Sequence, residues 1–332
     1  MNHFHYFSSQ DIQNRVKPRA HEVKLGEHIR SGFDGKKYVI IGIPESIGVK
    51  GNFGIGGTET LWNSFLDYFL NIQSIEKFTG EEISILGYFD FKGLLEGQHL
   101  PVETYREAVE TIDQEVKHII KDIVAQRKVP IIIGGGHNNC FPILAGVNDG
   151  YLELNKLSTI GINVINLDAH SDFRLKEGRH SGNGFRYALE SGHLKKYAII
   201  GLHENYNSQS LIDEMSHKGA IIFSFWEDIF LRELISYPQA LQQAISFTQG
   251  NYTGIELDID AIEGVLSSAM TPSGISTLNA RQYLYQTGSL CQVAYLHICE
   301  GAIELEGGEK NKMTGKLVSY LVSDFIKANS TF

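Results

Sequence analysis

Cysteine is scarce in this sequence, with three residues in 332. Cys140, Cys291 and Cys299 form no close ligand pair, and they are too few for a disulfide framework. This use of cysteine suits a reducing compartment, so we expect the protein to be cytoplasmic.

Long apolar runs and basic clusters are also lacking. The N-terminal stretch MNHFHYFSSQDIQNRV has neither the basic flank nor the apolar segment of a signal peptide, and no run is long enough to span a bilayer. The formal net charge is −10, and the basic residues form no run that could follow a phosphate backbone. We therefore expect neither a membrane nor a nucleic acid as a partner.

No repeat, no proline- or serine-rich linker and no break in composition divides the chain. Hydrophobic residues make up 42% of the sequence and charged residues 20%, as in soluble globular proteins. We predict a single domain over residues 36–332, preceded by an N-terminal extension over residues 1–35 whose structure the sequence does not define.

Short β-branched runs alternate with stretches that repeat apolar residues at helical spacing. The runs are apolar throughout, which is typical of strands covered on both faces. This alternation predicts an α/β protein with three layers (α/β/α) and a mainly parallel sheet of roughly eight strands. The strands are predicted at Lys37–Ile43, Ile83–Phe89, Val129–Ile133, Val164–Leu167, Tyr197–Leu202, Ala220–Phe225, Gly254–Ile259 and Gln292–Ile298, and the clearest helices at Val102–Arg127, Pro238–Thr248 and Thr314–Asn329.

Three of the predicted strands end in unusual residues, at the sheet edge where α/β proteins collect their functional groups. In the first, Val129–Ile133 is followed by three glycines and His137. Glycine lets the backbone turn sharply and leaves room for another group to approach. Taken alone, a glycine turn with a surface histidine explains this segment better than a functional site does.

The second segment, Asn166–Arg174, contains Asp168, His170 and Asp172 at a spacing of two. In an extended chain these side chains project to the same side. Helix-capping aspartates would explain one carboxylate, but they explain three metal-capable side chains after an apolar run poorly. This segment favours a functional site.

The third segment ends a strand with Asp258 and Asp260, again at a spacing of two. Two carboxylates close together near a core repel each other and lose hydration, unless a cation lies between them. The three segments together offer two imidazoles and four carboxylates. Such an oxygen-rich set suits a pair of Mn²⁺ ions, with Fe²⁺, Co²⁺, Ni²⁺ or Zn²⁺ as other occupants.

These motifs resemble those of the ureohydrolase superfamily of arginases, agmatinases and formimidoylglutamases. GGGHN (134–138), DAHSD (168–172) and LDIDAIEG (257–264) match its three metal motifs in order and in separation. The resemblance implies an arginase-like fold, two Mn²⁺ per chain and a homo-oligomer. It implies that one ion is held by His137, Asp168, Asp172 and Asp258, and the other by Asp168, His170, Asp258 and Asp260.

Departures from the better-known arginase pattern indicate the branch of the superfamily. GGGH at 134–137 stands where arginases and agmatinases usually have GGDH, and formimidoylglutamases tend to have GGGH. The segment from Ser181 through Asn183 to Arg186 resembles the SGTPFR segment of formimidoylglutamases. Three further departures, Glu263-Gly264 for the usual Asp-Pro, Glu256 for a serine and Asn138 for a common glutamate, indicate that the substrate pocket has drifted.

Substrate and catalytic residues are implied by the same resemblance. Arg174 stands where formimidoylglutamases have an arginine, and a guanidinium can hold a substrate carboxylate with two hydrogen bonds. A surface cation that neutralises nearby acids is the simpler alternative. The resemblance also implies that Asp172 relays a proton to the leaving amine and that Glu300 binds the cationic nitrogens of the substrate. Weaker candidates for substrate contacts are Asn52, Ser181, Asn183 and Arg186.

The sequence therefore favours a hydrolase that cleaves N-formimidoyl-L-glutamate into L-glutamate and formamide. The alternative enzyme would release urea from agmatine, guanidinobutyrate or arginine. A metal-binding scaffold without turnover is the alternative from another class.

Overall fold

Strands and helices alternate along the chain and stack in three layers in the computed structural model, which describes residues 3–95 and 100–329. Within these residues none of the helices combines the length and apolar composition needed to cross a membrane. The strands are β1 (Phe4–Tyr6), β2 (Arg30–Ser31), β3 (Tyr38–Gly42), β4 (Ile83–Phe89), β5 (Val129–Ile133), β6 (Ile162–Leu167), β7 (Leu194–Leu202), β8 (Ile221–Phe225), β9 (Thr253–Asp258) and β10 (Val293–Cys299). The α-helices are α1 (Ser9–Gln13), α2 (Leu25–His28), α3 (Ile47–Gly51), α4 (Leu61–Phe69), α5 (Val102–Ala125), α6 (Cys140–Glu153), α7 (Gly184–Glu190), α8 (Gln209–Ser216), α9 (Tyr237–Thr248), α10 (Thr277–Leu290) and α11 (Met313–Asn329).

The strands of the described residues form one ten-stranded sheet in the order β1-β4-β3-β5-β10-β9-β6-β7-β8, with β2 also paired to β4. All pairings are parallel except that of β1 with β4. The predicted α/β class and mainly parallel sheet are confirmed, and the eight predicted strands are present with ends shifted by at most three residues. The strand number is larger than predicted because β1 and β2 come from the segment before residue 36.

Alternation of side chains along each strand divides the core between the two faces of the sheet. On β5, Ile131 and Ile133 belong to the cluster beneath α4, α9, α10 and α11. Ile132 points to the opposite face and belongs to the cluster beneath α5, α6 and α7. Each central strand thus has apolar side chains on both faces of the sheet. This is why the sequences of the buried strands do not alternate between apolar and polar residues.

Four neighbouring strands at the centre of the sheet set the position of the site. Parallel registers align Ile133 of β5 with Ile298 of β10, Cys299 of β10 with Asp258 of β9, and the Leu167 and Leu257 residues of β6 and β9. The carboxyl ends of β5, β10, β9 and β6 are therefore level with one another. The side chains that follow these strands are brought to one place.

Candidate metal centre

Four side chains form a first buried group at this edge of the sheet. His137 follows β5, Asp168 and Asp172 follow β6, and Asp258 ends β9. The Nδ1 atom of His137 lies 3.2 Å from Asp168 Oδ2, 2.8 Å from Asp172 Oδ2 and 3.2 Å from Asp258 Oδ2. One ligand atom from each of the four residues falls within 4.8 Å of the others, which is compact enough to surround one ion.

A second group adjoins the first and is made by Asp168, His170 and Asp260. His170 Nδ1 lies 3.1 Å from Asp260 Oδ2 and 3.7 Å from Asp168 Oδ1. Asp168 belongs to both groups, with one carboxylate oxygen directed to each. The six residues predicted from the sequence as metal ligands are thus brought together, in an arrangement with room for two ions that share a carboxylate.

The local backbone that presents these ligands differs from the extended geometry expected from the sequence. The N–H of His170 donates to Asp168 Oδ1 at 2.7 Å, and the N–H of Asp260 donates to Asp258 Oδ1 at 2.8 Å. Each aspartate therefore begins a tight turn in which its side chain bonds to the backbone two residues later. Asp172 has a left-handed backbone with φ of 45°. The ligands converge through turns rather than by strand alternation.

Two of these ligand atoms form no hydrogen bond within the described residues. They are Asp260 Oδ1 and His137 Nδ1, which lies near three carboxylates without hydrogen-bonding to them. Burial and the neighbouring Asp172 raise the pKa of Asp168 to about 6. Burial and the carboxylates of Asp260 and Asp168 also raise the pKa of Asp258. Ligand atoms without hydrogen bonds among crowded carboxylates fit divalent cations, and the oxygen-rich set fits Mn²⁺.

Glu45 is the residue of this region that the sequence reasoning missed. Its carboxylate is 3% exposed and lies beneath the loop that carries His137, and burial raises its pKa. A sequence signal existed in the GIPES segment, where a glutamate stands three residues after the buried strand β3. Glu45 accepts five hydrogen bonds, from the backbone N–H groups of Ile47, Gly48 and Gly136 and from the side-chain amides of Asn138 and Asn139.

Glu300 lies directly after β10 and faces the same centre. It is 4% exposed and has a left-handed backbone with φ of 62°. Its carboxylate accepts the backbone N–H of His137 at 2.7 Å and the hydroxyl of Ser268. Burial raises its pKa to about 8. Strained backbone at a buried carboxylate is typical of functional positions.

A cleft of about 840 Å³ opens above the metal-ligand groups. His170, Asp172, Asp258, Asp260 and Glu300 form part of its wall. The sequence-predicted substrate residues in the same wall are Asn52, Arg174, Ser181 and Arg186.

Of these residues, Arg174 is the one whose side chain is exposed. It is 54% exposed and contacts Glu177 at 3.3 Å. Asn52 donates its amide to the hydroxyl of the buried Ser181 at 3.3 Å, and the buried Asn52 Oδ1 has no partner among the described residues. The guanidinium of Arg174 is therefore the group of this wall that is best placed to meet a ligand.

Arg186 and Asn183, which the sequence proposes as substrate contacts, form hydrogen bonds with other residues of the protein. The guanidinium of Arg186 binds both oxygens of Glu214 and the carbonyls of Phe173 and Arg174. Asn183 is fully buried, and its amide bonds to residues of its own loop, Leu175, Gly178, Arg179 and His180. Both side chains hold the loop between β6 and α7, and the amide of Asn183 is fully used by its four hydrogen bonds.

Tyr206 is a further cleft residue that the sequence did not single out. Its ring stacks on His170, with centroids 5.0 Å apart and planes at 20°. The neighbouring Asn207 accepts the N–H of Ser171 and donates to the carbonyls of Ala169 and His203. The segment after β7 therefore supports the loop of the second metal motif.

Comparisons with known proteins agree with this geometry. A formimidoylglutamase of Macrococcus caseolyticus is 26% identical over 225 residues, covering 67% of this chain and 68% of that protein. For a formimidoylglutamase of Streptococcus pyogenes the identity is 27% over 177 residues, which span about half of the relative's length (52%). The crystal structure of Trypanosoma cruzi formiminoglutamase with Mn²⁺ has the same fold, with a TM-score of 0.72 at 19% identity over 93% of this chain and 99% of that chain.

The family assignment rests on the greater part of the chain. A model of the arginase family matches residues 36–326, which include β3 to β10 and all of the metal-ligand groups. The family and fold expected from the three motifs are therefore confirmed. This chain belongs to the arginase family and is a hydrolase that acts on C–N bonds of amidines or guanidines.

Proposed function

We propose that the protein is a manganese-dependent formimidoylglutamase, which hydrolyses N-formimidoyl-L-glutamate to L-glutamate and formamide. The observation that carries the substrate is Arg174, an exposed guanidinium in the wall of the cleft that also contains the metal-ligand groups. The similarity to proteins named formimidoylglutamase supports the same substrate.

In this proposal His137, Asp168, Asp172 and Asp258 hold one Mn²⁺, and Asp168, His170, Asp258 and Asp260 hold the second. Their oxygen and imidazole groups match the preferences of Mn²⁺. When bound, the two ions supply a water that loses a proton near neutral pH and so becomes a nucleophile.

Glu300 and Asp172 have the catalytic roles in the reaction that we propose. Glu300 lies in the cleft wall, where a cationic amidinium of the substrate would favour its ionised form and pair with it. Water adds to the amidine carbon, the bond from that carbon to the glutamate nitrogen breaks, and Asp172 transfers the proton to the leaving amine. The carbon retains the water oxygen and its other nitrogen, which gives formamide.

Arg174 has the specificity role because it can hold a substrate carboxylate with two charge-assisted hydrogen bonds. Its contact with Glu177 is exposed, so it is weak and easily exchanged for a ligand. Asn52 and Ser181 add an amide and a hydroxyl on the same wall.

A guanidino acid with one carboxylate, such as guanidinobutyrate, is the second candidate substrate. Of the two arginines in the cleft wall, Arg186 is already bound to Glu214, which leaves Arg174 for one carboxylate. This count favours guanidinobutyrate over agmatine, which has no carboxylate.

Product analysis tests the proposal. The chain is stripped of metal, reloaded with Mn²⁺ and offered N-formimidoyl-L-glutamate, guanidinobutyrate, arginine and agmatine. We expect formamide and glutamate from the first compound, and no release by Asp258→Ala. Urea from guanidinobutyrate alone would favour the second candidate, and urea from agmatine alone would contradict both.

A further inference from the structure

A row of buried polar side chains lies one layer below the metal-ligand groups. The strand register pairs Asn166 of β6 with Glu256 of β9, and Glu256 with His297 of β10. All three side chains are fully buried. Glu256 is two residues before the ligand Asp258, so both point to the same face of the sheet. The row thus forms a polar floor directly beneath the site.

Glu256 is the centre of this floor. One of its oxygens, Oε1, accepts the hydroxyl of Tyr295 at 2.6 Å, and the other, Oε2, lies 2.6 Å from His297 Nδ1. Gly254 makes this arrangement possible, because a Cβ there would lie 2.3 Å from the Tyr295 ring. The neighbouring strand thus fixes the carboxylate from two sides.

The same Oε2 atom of Glu256 also faces the ligand His137, at an ion-pair distance of 3.5 Å from Nε2, and this buried Nε2 has no hydrogen-bond partner among the described residues. The opposite ring nitrogen, Nδ1, faces Asp168, Asp172 and Asp258. An imidazole that binds a metal through Nδ1 carries its proton on Nε2, and a carboxylate on that side stabilises this tautomer and increases the basicity of the ligand. Nδ1 of His137 is therefore placed to bind the metal, and Nε2 is placed to face the carboxylate of Glu256.

A purely structural pair of Glu256 and His297 explains this floor less well. A buried ion pair is costly to desolvate, and apolar residues of similar volume are often as stabilising. Here one oxygen of the Glu256 carboxylate faces both His297 and the metal-facing His137. The buried charge can therefore act on a residue of the metal site.

We propose that Glu256, braced by Tyr295 and His297, is a positioning residue that orients His137 for the first metal ion. The inference rests on the proposed function, because it takes the two ligand groups to hold metal. Loss of the carboxylate should weaken binding of the ion held by His137 by about tenfold to a hundredfold. The group of His170 and Asp260, which does not contact Glu256, should keep its affinity.

Stepwise metal titration of the full-length chain tests the inference. The metal-free wild type, Glu256→Gln and Tyr295→Phe are titrated with Mn²⁺ by calorimetry and with Co²⁺ by visible absorption. Glu263→Gln is the matched control, since Glu263 is an exposed glutamate of the same motif. Circular dichroism of each metal-free variant verifies that it is folded.

We expect Glu256→Gln to bind metal more weakly at one of the two sites and to change the Co²⁺ spectrum. Tyr295→Phe should show a smaller loss of metal affinity at the same site. The control should bind metal as the wild type does. Wild-type affinities and spectrum in Glu256→Gln, or equal losses at both sites, would overturn the inference. If Glu256→Gln does not fold, unchanged binding by Tyr295→Phe overturns it instead. A wild type that binds two ions but hydrolyses no amidine contradicts the proposed function alone.

Discussion

Arg186 donates to both carboxylate oxygens of Glu214, at 2.8 and 2.7 Å, across the wall of the cleft. The same guanidinium also donates to the carbonyls of Phe173 and Arg174. It therefore ties α8 to the loop that carries Asp172, so this arginine of the cleft wall has a structural role in the protein.

We predict that Arg186→Gln lowers the free energy of unfolding by about 2 kcal/mol, because the nearly buried guanidinium loses its ion pair with Glu214 and its bonds to two carbonyls. Glu214→Gln should cost less, since Glu214 is partly exposed, and the double variant should cost less than the sum. Urea unfolding measures all three. An additive double variant, or a rise in KM without loss of stability, would indicate a substrate contact instead.

Arg174 is predicted to behave in the opposite way. Arg174→Gln should raise KM for a carboxylated amidine by about tenfold to a hundredfold, the loss expected for one charge-assisted contact. Unfolding should hardly change, because the side chain is half exposed and bonds to Glu177 alone among the described residues. Glu177→Gln is the matched control and should leave KM unchanged or lower it. Unchanged KM in Arg174→Gln would remove this residue from the proposed specificity.

The strands and the metal ligands could be predicted from the sequence, because each is indicated by residues that are close together along the chain. Apolar runs such as Ile83–Phe89 and Val129–Ile133 are long enough to identify a buried strand, and parallel strands bring their carboxyl ends together. The spacing of Asp168, His170 and Asp172 was informative although the turns that present these residues are not extended.

Partners distant in sequence could not be predicted. β1 and β2 contain three and two residues, too few for a period-two pattern, and they are defined by pairing with β4. From the sequence, Arg186 is a candidate cation for binding substrate. In the structure its partner is Glu214, which is 28 residues later in the chain. Glu45 and Gly136 are 91 residues apart, and no local pattern links them.

Glu45 leads to a prediction about the loop of the first metal motif. Glu45→Ala should lower the free energy of unfolding by about 3 kcal/mol or more, since five donors lose a buried acceptor. It should also weaken metal binding, because the loop positions His137. Glu153→Gln, at an exposed glutamate, should stay within about 0.5 kcal/mol of the wild type in the same urea experiment. Equal stability of the two variants would refute the role of Glu45.

The crowded carboxylates predict how the stability of the metal-free chain depends on pH. In the folded chain, burial and Asp172 raise the pKa of Asp168 from 3.8 to about 6, and burial raises that of Glu300 from 4.5 to about 8. Folding then favours the protonated forms, so their contribution to stability is fully present below about pH 4. It is lost as pH rises through 6 for Asp168 and through 8 for Glu300. The Tm of the chelator-treated protein should therefore fall between pH 5 and pH 8.

Manganese should reverse this trend, because bound cations stabilise the ionised carboxylates and compete with protons for them. At a hundredfold excess over Kd, one bound ion stabilises the fold by about 2.7 kcal/mol. Thermal unfolding with and without Mn²⁺ at several pH values measures both effects, and the gap between the two curves should widen as pH rises. Asp168→Asn is the control. It should make the Tm of the metal-free protein depend less on pH below pH 7, and it should reduce the rise in Tm that Mn²⁺ causes. If the Tm of the metal-free protein rises from pH 5 to pH 8, repulsion and burial of the carboxylates do not govern its stability, and this prediction is wrong.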